Sequence, residues 1–186
     1  MTQISIVGLS GNITSPSKTR ALVETTLSLA ADRLDASTEL FELADFGDDL
    51  GRARRLDDLS PEAREKVARL LAADAIVVAT PTYKASYPGL FKHLIDLLDP
   101  TSLRRKPILV AATGGGEKHA LAVEHQLRPL FAFFEARVLS TAVHVSDKEF
   151  ENGALKGEAA LERLERAVSE LDEIFPDARP LRLAAE

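Results

Sequence analysis

A loop rich in hydroxyl side chains follows the first apolar run of the chain and is suited to binding an anion. The apolar run spans residues 4–9, the polar loop spans residues 10–19, and an amphipathic segment follows directly. A helix that begins in such a loop offers unpaired backbone N–H groups and a partial positive charge, to which serine and threonine hydroxyls add donors. Lys18 opposes the helix dipole and is therefore more favourable beside a bound anion. The loop predicts a phosphate site, although the same residue types are also ordinary caps and turn residues.

Two later loops have residues that could flank a flat ligand. Residues 81–90 read PTYKASYPGL and supply an aromatic ring, a cation and hydroxyl groups. Residues 113–116 read TGGG, and glycine lets the backbone approach a ligand closely because it has no Cβ. Each loop also has a purely structural interpretation. Tyr83 and Tyr87 could pack against neighbouring helices, and the glycines could form only a tight turn.

The hydrophobic pattern predicts five strands that alternate with five helices. Residues 74–80 form a continuous apolar, β-branched run, which is typical of a strand buried on both faces of a parallel sheet. The other strands are predicted at residues 4–9, 38–43, 107–113 and 138–145. Ser60 and Pro61 indicate a helix start. The helices are predicted at residues 17–34, 61–73, 89–98, 118–134 and 155–175.

This alternation predicts an α/β fold. We expect a flavodoxin-like three-layer sandwich, in which a five-stranded parallel sheet of order 2-1-3-4-5 has helices on both faces. Ligands of such sheets lie beyond the carboxyl ends of the strands, where the loops after strands 1, 3 and 4 meet. A phosphate site beside two loops that can flank a planar ring fits flavin mononucleotide (FMN). Residues 1–176 are predicted to form one domain, and residues 177–186 a loose tail.

Two other nucleotide-binding motifs can be set aside. The first turn, Gly8–Leu9–Ser10–Gly11, is not GxGxxG, so Asp45 is only weak evidence for the ribose-binding acid of a Rossmann site. Ser17–Lys18–Thr19 resembles the end of a Walker A loop, but the required GxxxxG does not precede it.

Composition limits the remaining functions. A net charge of −6 argues against a nucleic-acid surface. The chain has no cysteine, and none of its four histidines has the spacing of a metal site. No run reaches transmembrane length, and no signal-peptide pattern is visible at the N-terminus. We therefore expect a cytoplasmic protein with no metal site and with neither nucleic acid nor membrane as partner.

Three segments resemble the NADPH-dependent FMN reductase family. They are SGNITSPSKT, IVVATPTYKASYPGLFKHLIDLL and ATGGGEKHALAVEHQLRPLF, and the likeness runs from about residue 4 to residue 150. It is strongest to the reductases of two-component flavin monooxygenases, as in the alkanesulfonate, methanesulfonate and EDTA monooxygenase systems. The resemblance implies a homodimer or homotetramer that reduces FMN with NADPH or NADH. It also implies that reduced FMN passes to a partner monooxygenase.

The resemblance further implies which residues bind FMN. The residues implied at the phosphate are Ser10, Ser15, Ser17, Lys18 and Thr19. Those implied along the ribityl chain and the isoalloxazine ring are Pro81, Thr82, Tyr83, Lys84 and Ser86. Those implied at the pyrimidine side are Thr113, Gly114, Gly115 and Gly116, with His119 close behind. No catalytic residue is expected, because hydride transfer between the two rings requires no side chain to give or take a proton.

One segment departs from part of this family. Some alkanesulfonate-type members carry an extra tyrosine that makes a π-bulge in the helix after the glycine loop. Residues 122–126 show no such insertion, and His125 stands at about that point. We therefore expect no tyrosine-made π-bulge here, and the methanesulfonate-type relatives are nearer.

Three alternatives to an FMN reductase with exchangeable flavin stay open. The first is a quinone or azo reductase that retains FMN, which would be yellow when purified. The second is a flavodoxin-type one-electron carrier, against which the even charge balance and the TGGG loop count. The third is a docking protein that kept the fold and would not bind FMN.

Overall fold

The computed structural model describes residues 3–178. The strands are β1 (Ser5–Ser10), β2 (Ser37–Glu42), β3 (Ala75–Pro81), β4 (Pro107–Gly114), β5 (Arg137–Val138), β6 (Val143–Ser146), β7 (Phe150–Glu151) and β8 (Ala154–Leu155). The helices are α1 (Lys18–Leu34), α2 (Pro61–Ala72), α3 (Gly89–Asp96), α4 (Arg128–Ala132) and α5 (Glu158–Ser169).

A parallel sheet with the order β2-β1-β3-β4 forms the centre of the molecule, and β5 and β6 share the position beyond β4. Strands β3 and β4 are buried along their whole length, as their continuous apolar sequences require. One buried cluster joins the sheet to α2, α3 and α4, and a second joins it to α1 and α5. The flavodoxin-like α/β sandwich and the strand order 2-1-3-4-5 are therefore confirmed.

Helix α1 begins and packs as its sequence indicates. Ser17 is its N-cap, and the Ser17 Oγ accepts a hydrogen bond from the Arg20 N–H at 3.2 Å. A Cβ on Gly8 would lie 2.4 Å from Val23 Cγ1, so glycine is needed for α1 to pack this closely on β1. The cap and this close packing place the start of α1 at the carboxyl end of β1.

The helix predicted at residues 118–134 is irregular instead. A 3₁₀ turn spans Glu117–His119, a π-helical turn spans Val123–Leu127, and only α4 is regular. Pro129 has no N–H for the carbonyl four residues earlier, and the Arg128 N–H bonds to the Val123 carbonyl in a π pattern. The segment therefore contains a π-helical turn, although no extra tyrosine makes it.

The predicted fifth strand, residues 138–145, is interrupted. The N–H groups of Ser140 and Thr141 donate to the carboxylate of Glu170, at 2.6 and 2.7 Å, so this stretch leaves the sheet between β5 and β6. The antiparallel hairpin of β7 and β8 was not predicted. It delays the last helix, which begins at Glu158 rather than at residue 155 and ends in a 3₁₀ turn at Glu170–Glu173.

The predicted tail lies mostly outside the described residues. Pro176–Ala178 form a 3₁₀ turn, and residues 179–186 are not described. Within residues 3–178, no helix is both long enough and apolar enough to cross a membrane.

Candidate functional site

The carboxyl ends of β1, β3 and β4 form one rim of the sheet, and the three loops singled out in the sequence meet there. We call residues 10–19 the first loop, residues 81–88 the second loop and residues 113–116 the glycine loop. The hydroxyls of Thr19 and Thr113 lie 2.7 Å apart in a buried hydrogen bond. The Thr82 N–H donates to the Thr113 carbonyl at 2.7 Å. Thr113 therefore connects all three loops.

The inner part of the first loop is held by a buried polar network. Ser10 is fully buried, and its Oγ donates to Asn12 Oδ1 at 2.6 Å. Asn12 Nδ2 donates to Glu42 Oε1 at 2.7 Å, and Arg20 Nη1 donates to the other oxygen of Glu42 at 2.7 Å. Glu42 thus holds both the loop and the first turn of α1. Its position at the end of β2, beside β1, was readable from the predicted strand order, yet sequence reasoning missed it.

The outer part of the first loop faces solvent. Ser15 is exposed, while Ser17 and Lys18 are partly exposed. The Lys18 Nζ lies 3.0 Å from Asp147 Oδ1 and 5.8 Å from the centre of the Phe150 ring. Lys18, the cation predicted to contact the phosphate, is therefore paired with Asp147, an acid that the sequence analysis did not place at the rim.

The second loop is a tight turn. Tyr83 and Ser86 exchange two backbone hydrogen bonds, of 2.8 and 3.1 Å, around Lys84 and Ala85, which have φ angles of +51° and +70°. Tyr83 is 41% exposed, so its side chain is available to a ligand. Tyr87 instead packs against the core, with its ring centre 5.7 Å from that of Phe91, so the structural interpretation applies to Tyr87.

The second loop is also joined to the neighbouring elements. Pro81 is buried as the last residue of β3. The Ser86 Oγ donates to Gln126 Oε1 at 3.1 Å, which connects the loop to the π-helical turn. The exposed ring of Tyr83 is thereby held on a supported turn.

The glycine loop is tight at one residue and open at the next two. A Cβ on Gly114 would lie 3.1 Å from His144 Nε2 and 3.4 Å from His119 Cβ. A Cβ on Gly115 would reach only Asp147 Oδ2, at 4.0 Å, and one on Gly116 would meet nothing within 4 Å. Gly115 and Gly116 therefore border open space at the rim.

His144 supports the glycine loop from below and was missed in the sequence. Its ring is half-buried, and its Nε2 is buried with no hydrogen-bond partner among the described residues. Burial lowers the pKa of His144, the charge of His119 lowers it further, and Glu149 and Glu117 act in the opposite direction. The lowered pKa favours the neutral imidazole. Its only sequence signal was its place in the predicted fifth strand, which ends at this rim.

The segment after β6, residues 147–150, bridges two of the loops. Asp147 pairs with Lys18 of the first loop, and Lys148 pairs with Glu117, which directly follows the glycine loop. The hydrogen bond from Lys148 lowers the pKa of the Glu117 carboxyl. Glu149 fixes the start of the segment, because its carboxylate accepts from the Ser146 N–H and hydroxyl, both at 3.2 Å.

The rim offers groups suited to an organic anion with a flat ring. A lysine, two accessible serines and a helix N-terminus lie on one side, and an exposed tyrosine ring and two open glycines lie on the other. Within residues 3–178, no group of three or more histidine, aspartate or glutamate side chains could hold a metal ion.

Comparison with known proteins agrees with this geometry. Residues 4–150 match the family described as NADPH-dependent FMN reductase. The chain is 40% identical over 185 residues to the NADH-dependent FMN reductase SfnE of Pseudomonas putida, with 99% of both chains covered. It is 36% identical over 170 residues to an FMN reductase (NADPH) of Pseudomonas aeruginosa, with 91% of both covered. The solved structure of an oxidoreductase from Corynebacterium diphtheriae matches with a TM-score of 0.85 and 30% identity, covering 94% of this chain and 98% of that chain. The chain therefore belongs to the NADPH-dependent FMN reductase family.

Proposed function

We propose that this protein is an NAD(P)H-dependent FMN reductase that binds its flavin across the three loops of the rim. The observation that carries the proposal is the meeting of those loops at Thr113, beside an open surface bordered by Gly115 and Gly116. The buried Nε2 of His144 beneath the glycine loop has no hydrogen-bond partner within residues 3–178, which supports a ligand site here because buried polar atoms are normally hydrogen-bonded.

We assign the phosphate end of FMN to the outer part of the first loop. Lys18 supplies the positive charge, and Ser15 and Ser17 supply hydroxyls at the N-terminus of α1. Ser10 and Thr19 are buried and hydrogen-bonded within the protein, so their role in this proposal is to hold the loop in position.

We assign the ring of FMN to the space between the second loop and the glycine loop. Tyr83 and Lys84 lie on the exposed side of that space, and Pro81, Thr82 and Ser86 shape its floor. FMN, when bound there, would supply the redox chemistry as the hydride acceptor for the nicotinamide. The residues of the chain bind and orient the two rings, and this step requires no proton from a side chain.

A glycine substitution tests the ring site directly. Gly116 has an extended φ of 176° and open space around it, so Gly116→Leu should fold normally while its side chain occupies the place of the ring. We expect FMN-dependent oxidation of NADH or NADPH by the unchanged protein, followed by nicotinamide absorbance, and loss of FMN binding in Gly116→Leu. Gly51→Leu is the matched control, because Gly51 also borders open space. Absence of FMN-dependent oxidation with both donors would overturn the proposal.

The nicotinamide donor is proposed only as NADH or NADPH, because the two relatives compared above carry names with different donors. Comparing kcat/KM for the two donors at saturating FMN measures the preference.

We further propose that reduced FMN passes to a monooxygenase of sulfonate metabolism, as the sequence resemblance implies. Oxygenation of a sulfonate by that monooxygenase only when the reductase, FMN and donor are present would support this transfer.

We also propose a homodimer or homotetramer formed by the single domain of residues 1–176, in the cytoplasm, where nicotinamide nucleotides are abundant. Leu121 and Phe133 flank the π-helical turn and are 64% and 68% exposed, which favours a protein contact on this side. Light scattering coupled to size exclusion measures the oligomeric state, and a monomer would contradict this part of the proposal.

A further inference from the structure

The cation assigned to the flavin phosphate already has an anionic partner within the chain. Lys18 Nζ lies 3.0 Å from Asp147 Oδ1 and donates to the Asp147 backbone carbonyl at 3.4 Å. Both side chains are accessible, with 40% of Lys18 and 53% of Asp147 exposed. An exposed pair of this kind is weak enough to be exchanged for another anion.

Asp147 is held at this place by the structure around it. It begins a 3₁₀ turn whose first residues are fixed by the hydrogen bonds from Ser146 to the carboxylate of Glu149. The next residue, Lys148, is tied to Glu117. The second carboxylate oxygen of Asp147 lies 4.0 Å from the position of a Cβ on Gly115. The carboxylate thus stays between the first loop and the glycine loop, at the edge of the proposed flavin site.

We propose that Asp147 sets the affinity for the flavin phosphate by competing with it for Lys18, and so keeps FMN exchangeable. The inference rests on the proposed function and adds to it a residue that selects against tight retention of the phosphorylated flavin. Phosphate and carboxylate are both acceptors for the ammonium group, and like charges brought together at one cation repel each other. Binding of FMN must therefore either displace Asp147 from Lys18 or accept its repulsion.

A role for Asp147 in orienting Lys18, instead of competing for it, predicts the opposite change in FMN affinity. If the carboxylate served to orient Lys18 toward the phosphate, its removal would weaken FMN binding. If it competes, its removal strengthens binding. Riboflavin separates either role from effects on the ring, because it has the same isoalloxazine and ribityl groups but no phosphate.

The test is titration of the purified full chain with FMN and with riboflavin, followed by flavin fluorescence. Asp147→Asn removes the charge at nearly constant volume, and we expect it to lower the Kd for FMN about threefold to fivefold, as for loss of one partly exposed charge interaction. The Kd for riboflavin should stay within about twofold. Glu151→Gln is the matched control, because it removes one exposed acid four residues further along the chain, in β7, and should leave both constants unchanged.

Each outcome has one meaning. A Kd for FMN that is unchanged or higher in Asp147→Asn overturns the inference, as does an equal decrease in Glu151→Gln, which would reflect net charge alone. Asp147→Ala is a second variant for the case that Asp147→Asn folds poorly, and it should also lower the Kd for FMN. If the unchanged protein binds neither flavin and does not oxidise NADH or NADPH with FMN present, the proposed function itself fails. This result differs from an unaltered Kd for FMN in Asp147→Asn, which would overturn only the role of Asp147.

Discussion

The two ends of α1 carry ion pairs of very different character. At its C-terminal end, Arg33 binds Asp172 through two hydrogen bonds of 2.8 and 2.6 Å, and only 5% of the Asp172 side chain is exposed. At its N-terminal end, Lys18 makes a single side-chain contact with Asp147, and both partners are accessible. The helix dipole favours a cation at the C-terminal end, where Arg33 lies, and disfavours one at the N-terminal end, where Lys18 lies.

This difference separates stability from binding along one helix. Arg33 is in the favourable position and joins α1 to the 3₁₀ turn after α5, at the end of α1 opposite to the rim. Lys18 is in the unfavourable position, where its charge is best used by an anionic ligand. The free energy of unfolding should therefore depend on one end of α1, and flavin affinity on the other.

Removing the pair at the C-terminal end should have the largest effect. Arg33→Ala takes a bidentate partner from a buried carboxylate, and we expect the free energy of unfolding to fall by about 2 kcal/mol, less than for a fully buried pair because Arg33 is partly exposed. Urea denaturation measures this change, and the Kd for FMN should not change. Arg52→Ala, which breaks an exposed pair with Asp49, is the control, with an expected loss below about 0.5 kcal/mol. Equal losses in the two variants would remove the distinction between the ends.

Removing the cation at the N-terminal end should act on binding instead. Lys18→Ala should raise the Kd for FMN about tenfold, because a charge-assisted contact with the phosphate is lost. The free energy of unfolding should change by less than about 0.5 kcal/mol. Lys66→Ala is the control, since Lys66 contacts the carbonyl of Asp45 outside the rim. A Kd that is unaffected in Lys18→Ala would contradict the phosphate assignment.

The N-cap of α1 should affect both quantities, each by a smaller amount. Ser17→Ala should lower the free energy of unfolding by about 1 kcal/mol through loss of the cap. It should also raise the Kd for FMN about twofold to threefold through loss of a hydroxyl near the phosphate. Ser60→Ala removes the equivalent cap of α2, where the Ala63 N–H donates to Ser60 Oγ at 3.2 Å, and should reproduce only the first effect. A raised Kd in both variants would show that helix destabilisation alone explains the change.

The smallest expected effect is a pH dependence that arises at the rim. Burial lowers the pKa of His144 in the folded state and His119 adds to this, against Glu149 and Glu117, so the unfolded chain binds the proton at higher pH than the folded chain. The free energy of unfolding should therefore fall as pH decreases below about 6.5, the ordinary pKa of histidine. His144→Gln should reduce this slope, measured by urea denaturation at several pH values. Equal slopes in the two proteins would contradict the assignment.

Elements whose signals are local were predictable from the sequence. The cap of α1 at Ser17, the cap of α2 at Ser60 and the buried strand β3 each depend on residues within one short segment. The strand order followed from their alternation, and with it the rim where the three loops meet. For the candidate site, this was enough to bring the first loop, the second loop and the glycine loop together.

Features that depend on distant partners were not predictable. The interruption between β5 and β6 depends on Glu170, which lies some 30 positions further along the chain. Asp147 reaches Lys18 because β6 ends at the same rim as β1 and the 3₁₀ turn that follows β6 places this residue beside the first loop, which depends on contacts between distant segments. The π-helical turn had a visible signal in Pro129, whose missing N–H interrupts a regular helix.

The position of Thr113 has a mechanical consequence. Its hydroxyl is bonded to the start of α1, and its carbonyl is bonded to the second loop. Two walls of the proposed flavin site are therefore hydrogen-bonded to one strand end, so the positions of the first and second loops depend on that of Thr113. A binding site whose walls are connected in this way selects its ligand by complementarity to a preformed shape. Variants with altered ligand preference should therefore come from residues that line the site rather than from changes that loosen its walls.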